Sequence, residues 1–280
     1  MEIKDIMLVL QAGEPCEAAL SIAARLAREH DAQVAGRCVV QELEQAFADC
    51  FAIGPEAVGD VLEHRETLIR NRVQPTEAAF TRALAQDGLS GGWSLSWPDE
   101  PLEATLCQAR LADLVVMGRP RGADRNPAQG LFEKLALFSG TPCLLAPGSV
   151  RSPVEFKRVL LAWNGGREAK RALDDGLEFL RCATSAAVVI VEDSSVEWID
   201  RAAEKALLDH LMRHGVRAEL KRVQRGRGRD GRALLDTCDL FGADLLIMGA
   251  YSHSRAAEIV LGGATRTMLT HAPIPVLMSH

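Results

Sequence analysis

The chain has 280 residues, 48% apolar and 25% charged, with a net charge of −6 and a pI near 5.7. That balance suits one large domain or two ordinary ones and excludes a disordered chain or a nucleic-acid partner held by bulk electrostatics. Met1-Glu-Ile-Lys-Asp5 lacks the basic start and apolar run of a signal peptide, and no apolar run reaches the ~18 residues that cross a bilayer, so a cytoplasmic protein without membrane contact is expected.

Short apolar runs rich in Val, Leu and Ile predict strands near 5–10, 33–40, 92–97, 112–117 and 142–146. Helical spacing predicts helices over 14–30, in one or two pieces across 56–87, over 101–110 and over 128–139. A Pro/Gly/Ser stretch, Pro147-Gly-Ser-Val-Arg-Ser-Pro153, then separates a first domain (1–148) from a second (154–280). The second predicts strands near 157–163, 185–191, 217–223, 243–248 and 275–279, and helices near 166–182, 196–214, 231–241 and 263–271. Five rounds of alternation in each half give two α/β domains, each a parallel sheet with helices on both faces. The seven cysteines are odd in number and lack C-x-x-C spacing, which suits a reducing compartment; Cys38 and Cys143 fall inside strands and read as core residues.

The two halves repeat each other. Asp113-Leu-Val-Val-Met-Gly118 recurs as Asp244-Leu-Leu-Ile-Met-Gly249. Ile6-Met-Leu-Val-Leu-Gln-Ala-Gly13 parallels Val159-Leu-Leu-Ala-Trp-Asn-Gly-Gly166, and Thr141-Pro-Cys-Leu-Leu-Ala146 parallels Ile274-Pro-Val-Leu-Met-Ser279. Three matches in one order identify a duplication.

Ligands of an open parallel sheet bind beyond the carboxyl ends of its strands, at the switch point, here the loops after the first and fourth strands of each copy. The second copy has glycines in both loops: Asn164-Gly165-Gly166 and, from Met248, Gly249 followed by Gly262-Gly263-Ala264-Thr265. Gly249 permits close backbone approach or positive φ. Gly262-Gly263 would open the last helix with free N–H groups toward an anion, or would simply separate two helices; spacing does not choose between them.

The stretches Met248-Gly-x-x-x-His253-Ser, Leu261-Gly-Gly-x-Thr-Arg266 and Ala272-Pro-x-Pro-Val-Leu277 resemble the universal stress protein family. The resemblance extends over nearly the whole chain as a tandem pair and is strongest over 243–279. It implies two doubly wound domains with strand order 3-2-1-4-5, fifth strands that pair antiparallel into an internal pseudo-dimer, and an adenine nucleotide (ATP or AMP, with or without Mg2+) in the second domain. The family's nucleotide loop is Gly, two residues, Gly, nine residues, then Gly with Ser or Thr. Here the pattern falls on Gly249, Ser252, Gly262 and Gly263, so two positions match and two depart. Thr265 offers a hydroxyl one turn on. The family's acidic residue near the ribose falls on Asn164, and the backbone against adenine falls on Val191. Ala162 and Trp163 flank that loop, and Trp163 reads either as a stacking group or, more commonly for its type, as core.

The first copy departs further: it has Gln11 at the place of Asn164, no Gly-Gly pair, and Pro120 and Pro127 in its loop, which implies a lost nucleotide site. Arg119, Arg121 and Arg125 read as a solvated face or an anion contact. The run Arg222-Val-Gln-Arg-Gly-Arg-Gly-Arg-Asp-Gly-Arg232 reads as a flexible basic turn before a phosphate or RNA contact. His253 and Arg255 follow Gly249, and Arg255 could neutralise phosphate charge. His210 and His214, four apart on one helix, read as a surface pair. No P-loop, G-x-S-x-G or zinc spacing is present and no nucleophile–base pair stands out, so a non-catalytic or slowly hydrolysing nucleotide-binding stress regulator is expected. The alternatives are a nucleotide-free interaction or dimerisation module, and a binder of another small anionic metabolite. A homodimer of whole chains is left open.

Overall fold

The computed structural model describes residues 2–40, 58–97, 100, 102–119, 130–148, 155–192, 199–224, 230–250 and 263–280. The first half runs β1 (Asp5–Gln11), α1 (Glu17–His30), β2 (Gln33–Val39), α2 (Val58–Gln86), β3 (Gly91–Ser96), α3 (Leu102–Ala109), β4 (Leu114–Gly118), α4 (Leu131–Phe138) and β5 (Cys143–Ala146). The second runs β6 (Arg158–Ala162), α5 (Arg167–Asp175), α6 (Leu177–Cys182), β7 (Ser185–Glu192), α7 (Arg201–Arg213), β8 (Ala218–Gln224), α8 (Asp230–Phe241), β9 (Leu245–Gly249), α9 (Gly263–His271) and β10 (Val276–Ser279).

Each half has the expected order 3-2-1-4-5, all parallel, and the halves join into one ten-stranded sheet, β3-β2-β1-β4-β5-β10-β9-β6-β7-β8. The junction is antiparallel, with Leu145 opposite Val276 and Cys143 opposite Met278. Alternation of side chains feeds two cores, one on each face. Ile6, Leu8 and Leu10 of β1 point into the core under α1 and α5, while Met7 and Val9 point into the core under α4 and α9. Strands buried on both faces explain why their sequences are continuous apolar runs rather than alternating ones.

The repeated Asp…Gly motif has a structural reason at each end. Asp113 accepts hydrogen bonds from the N–H groups of Lys4 and Asp5 at 2.7 and 2.9 Å, and Asp244 accepts them from Lys157 and Arg158 at 2.7 and 2.8 Å. The aspartate thus secures the start of each half's first strand, which would otherwise leave donors unpaired. At the other end of the motif, Gly249 admits α5: a Cβ there would lie 2.5 Å from the Glu168 carbonyl carbon and 2.6 Å from the Ala169 nitrogen. Gly118 does the same less tightly, 3.2 Å from the Pro15 oxygen.

Two helices differ from the sequence expectation in detail. The 56–87 segment, open to one or two pieces, is one continuous helix from Val58 that carries Pro75. The 166–182 segment is divided at Gly176, where a Cβ would lie 2.6 Å from Ile247 Cδ1; the backbone bends there to approach β9.

Candidate functional site

The carboxyl ends of β6, β7 and β9 meet at one end of the second half. Register sets Leu161 beside Ile247 and Ala162 beside Val189, so Trp163 and Asn164 continue beside Gly249 on one side and Val191 on the other. The Trp163 N–H donates to the Val189 carbonyl at 2.9 Å. Its half-buried indole packs against Ile190 and Ile199. Ala162, Val191 and Met248 back this end from the opposite core.

The loop after β6 folds on itself. Asn164 Oδ1 accepts the Gly166 N–H at 3.0 Å, Gly165 takes φ +72°, and Gly166 is the N-cap of α5. Beside it stands a residue that the sequence reading missed. Glu168, in the first turn of α5, is 6% exposed, ion-paired to the exposed Arg167, and its backbone lies against Gly249. The second copy therefore does carry a carboxylate beside this loop, in α5, four residues beyond Asn164. Its counterpart in the first copy is Pro15, and that contrast between the aligned repeats was the available signal.

Of the two uses expected for Gly249, positive φ is not taken up, and its missing side chain makes room for α5. Beyond it, the Ala250 N–H bonds the Ser279 carbonyl at 2.8 Å. Ser279 lies in register with Gly249 and is 2% exposed, and its hydroxyl has no partner among the described residues. α9 begins at Gly263, with Ala264 and Thr265 in its first turn and no acidic residue there. Thr265 is buried. Ser252, His253, Arg255 and Gly262 lie outside the described residues.

The first half closes the corresponding helix end with its own anion. Glu133, in the first turn of α4, accepts the Gly130 N–H at 2.7 Å and is 5% exposed. Burial pushes its carboxyl up from the ordinary value, against the opposing pull of that hydrogen bond and of Lys134 and Arg266. Gly13, after β1, takes φ +82° with the Arg72 guanidinium against it. Arg119, read from sequence as part of a solvated face or as an anion contact, is half-buried. It reaches into the second half and donates to the Thr270 carbonyl at 3.1 Å and to that of Ala272, at the C-terminal end of α9 where the helix dipole favours a cation. Arg121, Arg125, Pro120 and Pro127 lie outside the described residues.

Other sequence candidates resolve into structure. Arg222 bonds Glu192 at 3.0 Å and also Glu204 and the Ile199 carbonyl, while residues 225–229 of the basic run lie outside the described set. The His210 and His214 ring centroids lie 4.6 Å apart with the rings tilted by 57°, and His210 Nε2 is buried. Cys38, Cys143 and Cys238 are buried and their thiols are pushed up to about 12 by that burial, which keeps them protonated and inert. Among the described residues, no group of three or more His, Cys, Asp or Glu could hold a metal ion, and no helix is long and apolar enough to cross a membrane.

The sequence model of the universal stress protein family matches residues 155–280. The match spans nearly all of the second half. Over 178 residues the chain is 26% identical to the universal stress protein Slr1230 of Synechocystis, an alignment covering 59% of this chain and 57% of that relative's own length. A universal stress protein structure from Archaeoglobus fulgidus superposes over 98% of this chain and 95% of its own, with a TM-score of 0.70 at 15% identity. A second, from Pseudomonas aeruginosa and provisionally assigned to the same family, covers 99% and 93% with a TM-score of 0.64 at 14% identity. The chain as a whole thus has the fold of a tandem universal stress protein, and its first half is a universal stress protein fold with a differently built loop end.

Proposed function

We propose that the second domain (154–280) holds an adenine nucleotide between the loops after β6 and β9, and that the first domain (1–148) has given up that role. The observation that carries this reading is the contrast between the two last helices. α4 meets its own Glu133 carboxylate at the N-terminus, whereas α9 starts Gly-Ala-Thr with no acid in its first turn. A helix N-terminus without a carboxylate in its first turn, at the carboxyl end of a parallel sheet, suits a phosphate. Gly262, Gly263, Ala264 and Thr265 would face the phosphates, with Ser252, His253 and Arg255 from the loop. Ala162, Trp163, Asn164, Val191, Met248 and Gly249 would line the nucleoside end. The orphan Ser279 hydroxyl, on the α5 side of the sheet beside Gly249, is a polar atom such a ligand could satisfy. Asn164 brings no charge, and Glu168 is tied to Arg167, so the described residues do not form a ligand set for Mg2+. The same two facts leave no described group poised to activate water, which suits a binding and regulatory role in the stress response with slow hydrolysis at most.

A second reading, a nucleotide-free interaction module, draws on the way α5 fills the space beside Gly249. Mass spectrometry of the denatured protein as purified separates the two. Release of about one ATP, ADP or AMP per chain, lost in Gly263→Asp, is the expected result; that variant puts a carboxylate on α9 as Glu133 stands on α4. No release and no thermal shift with added ATP would favour the module, and release of a different anionic metabolite would redefine the ligand.

A further inference from the structure

The two halves differ under their second long helix, away from the nucleotide loops. In the second half, Glu204 of α7 pairs with Arg222 of the edge strand β8, eighteen positions later. In the first half Glu77 of α2 precedes Leu95 of β3 by the same interval, and the register agrees. Leu95 lies beside Cys38 as Arg222 lies beside Ile190, and Trp93 takes the place of Leu220. The carboxylate is therefore present in both halves, but its guanidinium partner is present only in the second.

Where the guanidinium is missing there is a cavity of about 450 Å³, within the range of small-molecule pockets. Val73, Trp93 and Leu95 form its apolar wall; Arg70, Gln74 and Glu77, on successive turns of α2, form the polar one. Arg70 is already committed, since Glu66 accepts from it at 2.6 and 2.9 Å and its guanidinium lies 5.8 Å from the Trp97 ring centroid. Glu77 has no hydrogen bond or ion pair among the described residues. Phe80 packs against Trp93 at 5.1 Å and helps fix the orientation of the indole. An uncompensated carboxylate beside an indole selects a cation, and a planar one both forks onto the carboxylate and stacks on the ring.

We propose that this cavity is a binding site for a small organic cation of the guanidinium or amidinium type carrying an apolar body, which takes the place that Arg222 holds in the second half. The test uses the full chain and benzamidine, with neutral benzamide and anionic benzoate as matched probes, followed by calorimetry. Saturable 1:1 binding of benzamidine, about tenfold tighter than benzamide or more, is expected, since one charge-assisted hydrogen-bonded pair contributes on that scale. Glu77→Gln, an exposed and fold-neutral change, should weaken it about tenfold. Leu95→Arg should abolish it while raising the melting temperature, because it rebuilds the Glu204–Arg222 pair in the first half. Benzamidine binding no better than benzamide, tighter binding of benzoate, or full affinity retained in Glu77→Gln would each overturn the proposal.

Discussion

The first and second halves share a skeleton and differ in where charge is put. Asp113 and Asp244 hold equivalent strand starts, Gly118 and Gly249 admit equivalent helices, and β5 and β10 meet as counterparts. The charged residues follow no such symmetry. The first half buries Arg37 in β2, where the second has Val189, and binds it to Thr105 at 3.1 Å and Glu100 at 2.6 Å. It places Glu133 on its last helix and Arg119 on that of its neighbour. The second half keeps Glu168 and the Glu204–Arg222 pair. Apolar pattern and a few backbone requirements are thus enough to specify the fold, which leaves charge free to make the two ends of the molecule chemically unlike.

The sharpest way to break the comparison is at its matched glycines. Gly249→Ala should destabilise by about 3 kcal/mol, since its Cβ would meet the backbone of α5, whereas Gly118→Ala should cost about 1 kcal/mol. Equal losses in denaturant unfolding would mean that the two helix–strand contacts are alike after all. Arg37→Met should cost about 2 kcal/mol by stranding Glu100 and Thr105, and a compensating Glu100→Gln should recover part of it. Arg119→Ala should cost about 1 kcal/mol and raise hydrogen exchange in α9 but not in α4, because the carbonyls that Arg119 caps belong to the end of α9.

The smallest effect concerns pH. His210 is pushed below its ordinary value of 6.5, first by burial, then by His214, Lys170 and Arg213, with Asp174 acting the other way. A depressed imidazole contributes stability above the unfolded value, and that contribution is lost as pH falls below about 6.5, because the unfolded chain takes up the proton first. The wild type should therefore lose melting temperature relative to His210→Gln on acidification, and parallel curves would remove His210 from the account.

Much of this was legible in the sequence. The apolar runs announce the eight inner strands because burial on both faces leaves little room for polar residues, whereas the edge strands β3 and β8 are more polar and half-exposed, and the repeats announce the duplication because Asp and Gly meet the same backbone needs twice. What was not legible depends on contacts across the chain. Arg119 reads as a loop arginine because its acceptors, the carbonyls of Thr270 and Ala272, are some 150 positions away. Glu168 reads as an ordinary helix residue because its burial is created by β9. The need of α5 for room at Gly249 was not legible because spacing cannot say which neighbour approaches a glycine.

The antiparallel meeting of β5 and β10 carries a consequence for copy number. Two separate chains joined along so short an edge would part on dilution, but one polypeptide holds its halves together at a fixed effective molarity. Pairing then no longer requires the partners to be identical. In a two-fold assembly every substitution enters twice, so an arginine that crosses the junction one way would cross it the other way as well. Here Arg119 has no mirror image, because Ala250 stands at its matched position in the other half.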